Sequence, residues 1–243
     1  MTDALYLSNA YLRRFDAEVA SAGPEGIRLD RTAFYPSGGG QPSDRGHLIF
    51  PDGVDVSVVD VHKTPEGILH VLEKGTGGIP GQRVSGEIDW ARRYAHMRYH
   101  TALHILSGVA YRELGSGITG NQITAERARM DFAIPDFDRA RAEGLIEGVN
   151  AVVREHRPVT VRYLPRAEAE KDPTLVRVAQ ELMPDVDVVR LIDIEGFDVQ
   201  ADGGTHVANT SEVGNARLER IENKGSRNKR LYLVLDPPQA PLL

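Results

Sequence analysis

The chain has 243 residues, 41% hydrophobic and 26% charged, an ordinary globular balance that allows one large domain or two modest ones. Its formal charge is −6, from 29 basic and 35 acidic residues, which excludes a protein that coats nucleic acid through net charge alone. There is no cysteine, so disulfides are excluded and any metal site must be built from imidazole and oxygen ligands.

The opening residues Met1 to Tyr6 lack the basic region and apolar core of a secretory signal, and no window reaches the length of a membrane span. We expect a cytoplasmic chain with no membrane association. Residues 1–88 read as β-rich, with short apolar or alternating runs over Tyr11–Val19, Ile27–Leu29, His47–Phe50, Val54–Val61, Ile68–Leu72 and Val84–Ile88. Turn-rich pieces such as Gly23-Pro24, Pro51-Asp52-Gly53 and Gly75 to Gly81 separate them, the pattern of a small barrel or sandwich. Within this region lies Phe34-Tyr-Pro-Ser-Gly-Gly-Gly-Gln-Pro-Ser-Asp44. Three consecutive glycines suit a backbone that is closely approached or has positive φ. The run fits neither the phosphate loop of nucleotide triphosphatases nor a dinucleotide fingerprint, so no ATP is expected. A recognition loop and a plain tight hairpin both remain open.

From Ile88 the pattern turns helical. Asp89 caps a short turn containing Trp90, Arg98–Leu114 forms a helix closed by Gly115, and Gly115–Gly120 is a flexible connection. A strand lies within Gln122–Phe132, and a second long helix covers roughly Phe137–Glu155, stopped by Pro158. Strands follow at Val159–Leu164, Val186–Ile194, Phe197–Ala201 and Arg230–Leu235, with short helices at Arg166–Lys171 and Leu175–Leu182 and an extended tail from Pro237. Two long helices on an antiparallel sheet is the economical arrangement.

Two pairs of residues stand out. His100 and His104 are four apart in the helix Arg98–Leu114, so their rings share one face. Asp202 and His206 repeat that spacing in Asp202-Gly-Gly-Thr-His206, where the glycines favour a turn that folds both toward one point. Ligands of types His, His, Asp and His suit a four-coordinate zinc site; a helix-surface coincidence beside an unrelated loop is the bland alternative. Basic clusters occur at Arg92, Arg93 and Arg98 and between Arg217 and Arg230. Either is a nucleic-acid contact or a solvated face.

Taken together, Phe34-Tyr-Pro-Ser-Gly-Gly-Gly-Gln41, Arg98-Tyr-His-Thr-Ala-Leu-His-Ile-Leu106 and Asp202-Gly-Gly-Thr-His-Val207 resemble the editing region of alanyl-tRNA synthetase, and Glu222-Asn-Lys-Gly-Ser-Arg-Asn-Lys-Arg-Leu-Tyr232 resembles its usual end. Within these 243 residues no aminoacylation or anticodon-reading module is expected. It is similar over nearly its whole length to the free-standing alanyl-tRNA editing proteins of medium length. The resemblance implies an α+β fold: a small glycine-rich β-barrel domain over residues 1–88, then an α+β editing domain over residues 89–243 with two main helices packed on an antiparallel sheet. It implies hydrolysis of seryl or glycyl esters on the tRNA for alanine, with water as co-substrate and no obligate protein partner. The family's metal ligands carry over onto His100, His104 and His206, with Asp202 where the family normally has cysteine. Zn²⁺ is the implied ion, and the oxygen ligand opens the site to another divalent ion. Thr32, Gly39, Gly40 and Gln41 are the implied groups around the reacting amino acid. Arg92, Arg93, Arg98, Lys224, Arg227, Lys229 and Arg230 are the candidate tRNA contacts. Two other classes also fit the residues: another metal-dependent esterase acting on small aminoacyl substrates, and a non-catalytic tRNA-binding relative.

Overall fold

Alternating burial along Arg14–Gly23 explains why the first part of the chain closes on itself: Phe15, Ala17 and Val19 point inward while Arg14, Asp16 and Glu18 face solvent. The structure is a computed structural model that describes residues 2–73, 78–115, 117–134, 137–172, 175, 186–224 and 228–237. It divides into two units, Met1–His96 and Met97–Leu243.

In the first unit, β1 (Asp3–Ala4) pairs in parallel with β4 (Arg31–Thr32). The other strands are β2 (Arg14–Gly23), β3 (Gly26–Leu29), β5 (Gly46–Ile49), β6 (Asp55–Thr64), β7 (Gly67–Leu72) and β8 (Arg83–Ile88). They form a closed antiparallel barrel in the order β2-β3-β7-β6-β5-β8, with β8 returning to β2. Closure removes the sheet edges. Phe15, Val19, Ile27, Leu29, Phe34, Leu48, Val61 and Val84 fill the interior.

The second unit is built on helix α1 (Trp90–Leu114), inside which the division falls. The sequence places the start of this helix at Arg98, but it begins at Trp90. Asp89 accepts the Arg92 amide on its side chain at 3.1 Å and the Arg93 amide on its carbonyl at 3.0 Å, and no residue before Gly108 interrupts propagation. Gly115, at φ 61°, closes it by donating to the Tyr111 carbonyl. Helix α2 (Arg139–Arg154) starts at Asp138, which accepts the Arg141 amide, and buries Ala142, Leu145, Ile146, Val149, Val152 and Val153 along one stripe. A β-carbon on Gly148 of α2 would meet Val109 of α1 at 2.7 Å, so the missing side chain permits the close approach of the helices.

The sheet expected here is two sheets among the described residues. One, in the order β14-β15-β10-β9, joins β9 (Ile118–Ile123), β10 (Ala128–Phe132), β14 (Ala216–Asn223) and β15 (Lys229–Leu235). The other, β11-β12-β13, joins β11 (Val159–Pro165), β12 (Val188–Ile194) and β13 (Asp198–Ala201), with the four-residue helix α3 (Arg166–Ala169) beside it. Both are antiparallel. The flexible connection expected at Gly115–Gly120 instead enters β9, whose partners on β10 supply the ladder that its own sequence does not announce. Likewise β14 was legible only as charge, because its Arg and Glu residues mask the alternation. The short helix expected over Leu175–Leu182 lies outside the described residues apart from Leu175, as does the tail after Pro237.

Candidate metal centre

His100 and His104 sit one turn apart on α1, within a stretch from His96 to Ala110 in which every residue is buried. Their ring centroids are 5.2 Å apart. The second pair approaches from the end of β13. Asp202 Oδ2 accepts the Gly204 amide at 2.5 Å, a side-chain-to-backbone turn that reverses the chain. His206 thereby returns to Asp202, Nε2 to Oδ2 3.1 Å, with its ring 4.3 Å from that of His100 and 4.6 Å from that of His104. The other carboxylate oxygen, Oδ1, lies 3.5 Å from His100 Nε2 and 4.0 Å from His104 Nε2.

One donor atom from each of the four residues lies within 4.8 Å of the others, a group that can hold a metal ion. Ligand atoms about 2.0–2.2 Å from one zinc stand roughly 3.4 Å apart in a tetrahedron. The carboxylate-to-imidazole separations of 3.1, 3.5 and 4.0 Å bracket that spacing. Protonation fits as well. Burial pushes all three imidazoles down, His104 to about 4 and His206 well below its usual value, against the pull of Asp202. Burial alone would raise the Asp202 carboxyl, but His100, His206 and His104 together hold it well below the carboxylate range. Neutral imidazoles beside an ionised carboxylate are the protonation states that metal coordination requires.

Two further residues support the cluster in ways the sequence alone does not assign. Thr101 Oγ1 is 3.2 Å from His206 Nδ1 and accepts the Val207 amide at 3.3 Å, so it fixes the ring with Nε2 toward the cluster. A buried threonine inside an apolar helix run is the one clue that could have marked it. Gly204 is the other: a β-carbon there would overlap the His100 ring and stand 2.9 Å from Asp202 Oδ2.

The remaining predicted residues fall elsewhere. In the barrel unit, Gly38 and Gln41 exchange amide-to-carbonyl bonds at 3.0 and 2.9 Å around Gly39 and Gly40, whose φ values are 59° and 86°. This is a tight two-residue turn that needs positive φ twice, which accounts for the glycines. Gly39 and Gly40 are exposed, whereas Gln41 is buried. Thr32 is fully buried, its hydroxyl 2.8 Å from His70 Nε2 and accepting the Phe34 amide at 3.1 Å.

Arg93 and Arg98, read from the sequence as tRNA contacts, are buried with their guanidinium groups committed inside the protein. Arg93 forms a two-pronged pair with Asp44 and donates to the Ala10 and Ala33 carbonyls. Arg98 donates to the carbonyls of Glu212, Val213 and Asp236. Neither is placed to meet a phosphate. Half-buried Arg92 donates to the Ser43 carbonyl at 3.1 Å, Arg230 pairs with Asp131 at 2.7 Å, and exposed Lys224 lies 3.3 Å from Glu222. Lys229 is half-buried, and Arg227 lies outside the described residues. No helix among the described residues is long and apolar enough to cross a membrane.

The chain has clear relatives among known proteins. Residues 189–232, which carry Asp202 and His206, match the family model of the threonyl and alanyl tRNA synthetase second additional domain. Residues 6–92 match that of the class II (A) tRNA synthetases. The chain is 41% identical over 243 residues to the alanyl-tRNA editing protein AlaX-M of Methanosarcina acetivorans, covering 97% of this chain and 99% of that one. It is 39% identical to AlaX-M of Saccharolobus solfataricus, covering 98% and 100%. It is also 38% identical to the alanine–tRNA ligase of Metallosphaera sedula over 91% of this chain but 25% of the ligase. At this identity and coverage, the chain belongs to the alanyl-tRNA editing protein family.

Proposed function

We propose that this chain hydrolyses, in trans, the ester joining a wrong amino acid, serine or glycine, to the terminal adenosine of the tRNA for alanine. In this reading it is a metal-dependent aminoacyl-tRNA hydrolase that works in the cytoplasm with water as co-substrate and without ATP. The observation that carries it is the convergence of His100, His104, Asp202 and His206 in a chain whose full-length relatives are named for alanyl-tRNA editing. Zn²⁺ is the ion the donor set suits best; when bound, it would polarise an ester carbonyl and lower the pKa of a water. The chain supplies the rest. Three neutral imidazoles offer lone pairs, and the Asp202 carboxylate offsets part of a cation's charge. Thr101 and Gly204 keep the His206 and His100 rings in place.

In the barrel unit, the exposed amides of Gly39 and Gly40 are proposed donors to a carbonyl oxygen. Gln41 and Thr32 are proposed to recognise the α-amine or the serine hydroxyl. Serine carries a hydroxyl that alanine lacks, so a site built to bond it can discriminate, whereas glycine gains entry only by size. Arg92, Lys224, Arg227, Lys229 and Arg230 are proposed to position the RNA backbone without reading sequence.

The test is purified protein incubated with the alanine tRNA charged separately with serine, glycine and alanine, with and without chelator. Release of the seryl or glycyl ester, sparing alanyl and abolished by chelator until zinc is restored, is expected. Turnover of small aminoacyl esters but not charged tRNA, or tight tRNA binding with no turnover, overturns the reading.

A further inference from the structure

The sheet β11-β12-β13 presents one face to α1 only in part. On β13, Gln200 approaches the His104 carbonyl and Ser107 of α1 at 3.5 Å, and a β-carbon on Gly108 would meet Phe197 and Asp198. Ile192 and Ile194 of β12, on the same face as Gln200 and Asp198 by register, are buried. The same face continues onto the outer strand, where Val161 pairs with Ile192, Tyr163 with Arg190 and Pro165 with Val188. Cover ends there. Tyr163 is 56% exposed, Val188 51% and Val161 38%, an apolar ledge on the outer strand of the sheet and the start of its neighbour.

Its position is set by the ladder. Asp202 donates its amide to the Arg190 carbonyl at 3.1 Å, one residue beyond the Leu191–Ala201 pair, so Tyr163, Arg190 and Asp202 form one rung across three strands. Residues opposite one another project from the same face. The Cα of Tyr163 therefore stands two strand spacings, about 10 Å, from that of Asp202, the acid of the metal cluster. Between them lies Arg190, which donates to the Asp202 carbonyl at 2.8 Å and is close enough to His100 and His104 to lower their proton affinity.

We propose that Tyr163, flanked by Val161 and Val188, is the platform on which the adenine of the substrate's terminal nucleotide stacks. This rests on the reading of the metal cluster as the site of ester hydrolysis. The ester hangs from the ribose of that nucleotide, so the base lies one sugar away from the bond to be broken. A ledge reached along one rung from Asp202 has the right reach. An exposed aromatic side chain with apolar neighbours is how proteins hold an unpaired base, and such stacking tolerates any base. Tyr163 is a positioning residue here; it fixes the nucleotide and does not touch the reacting atoms.

The experiment compares Tyr163→Ala, Tyr163→Phe and Tyr163→Trp in the metal-loaded full chain. Seryl-tRNA provides kcat and KM, seryl ethyl ester serves as a baseless substrate, and a non-hydrolysable seryl-amide analogue of adenosine serves as a binding probe. Tyr163→Ala is expected to raise KM for seryl-tRNA and weaken analogue binding, each about tenfold, with kcat and the rate on seryl ethyl ester unchanged. Tyr163→Phe should behave as the parent, and the fluorescence of Tyr163→Trp should be quenched by the analogue beyond the parent's own Trp90 signal. If the parent deacylates seryl-tRNA while Tyr163→Ala keeps its KM and analogue affinity, this proposal falls and the hydrolase reading stands. If the parent deacylates no charged tRNA, the hydrolase reading falls first and this proposal with it.

Discussion

In each unit of this chain an acid is enclosed by basic groups, Asp44 in one and Asp202 in the other, and these two clusters are resolved in opposite ways. In the barrel unit, Asp44 meets a guanidinium that cannot lose its proton, and the backbone carbonyls of Ala10 and Ala33 take up the remaining donors of Arg93. Nothing is left to bind. In the second unit, Asp202 meets three imidazoles that burial keeps neutral, so none of them is a fixed cation locked to the carboxylate. A buried acid surrounded by fixed cations is a structural joint; one surrounded by bases that shed their protons is a ligand set.

That contrast is broken most sharply by cutting each cluster once. Arg93→Met strands the Asp44 carboxylate in a dry interior and should cost about 3–5 kcal/mol in denaturant unfolding. His206→Ala in metal-free protein should cost less than half of that, because it removes an uncharged ring, yet it should abolish metal uptake. Equal losses for the two would remove the distinction. Gly204→Ala comes next: the new methyl group displaces His100, so stoichiometric metal binding should vanish in titration while the far-ultraviolet dichroism stays that of the parent.

His70 sharpens the comparison from the barrel side, as a buried imidazole with no acid beside it among the described residues. Burial pushes it down to about 4, against its bond to the Ile27 carbonyl. The unfolded chain therefore takes up a proton that the folded chain refuses between pH 6.5 and 4. Stability is full above that window and falls by about 3 kcal/mol on passing down through it. His70→Gln should flatten this part of the pH–stability curve, whatever its effect at pH 7; an unchanged slope would show that the ring is not buried neutral. The smallest effect is Thr101→Val, which loosens His206 without removing a ligand and should weaken metal affinity about 10–100-fold by competition with a chelating dye.

Much of the barrel was legible because inward and outward residues alternate along its strands, as in Phe15, Ala17 and Val19. Helix α2 was legible for the equivalent reason at helical period. The misses share a cause. The first turns of α1 look polar because Arg92 and Arg93 lie there, yet Arg93 is buried through an acid 49 residues earlier in the chain. Strand β14 looks like a charge cluster because its outward positions are Arg and Glu. A basic residue's charge can be read locally, but its partner cannot, which is why the sequence offers Arg93 and Arg98 as tRNA contacts while both are buried.

The sequence by itself determined the periodicities, the two four-residue spacings and the glycine turn, since each depends only on neighbours along the chain. It also carried the family resemblance, through motifs in order. Only the tertiary structure decided that Asp202 returns to the His100 face, that Gly204 must lack a side chain, that Thr101 holds His206 and that Tyr163 shares a rung with Asp202. Those facts depend on strand register and helix packing between residues far apart in the chain, where hydrogen-bond geometry and excluded volume select one arrangement from many with the same local pattern.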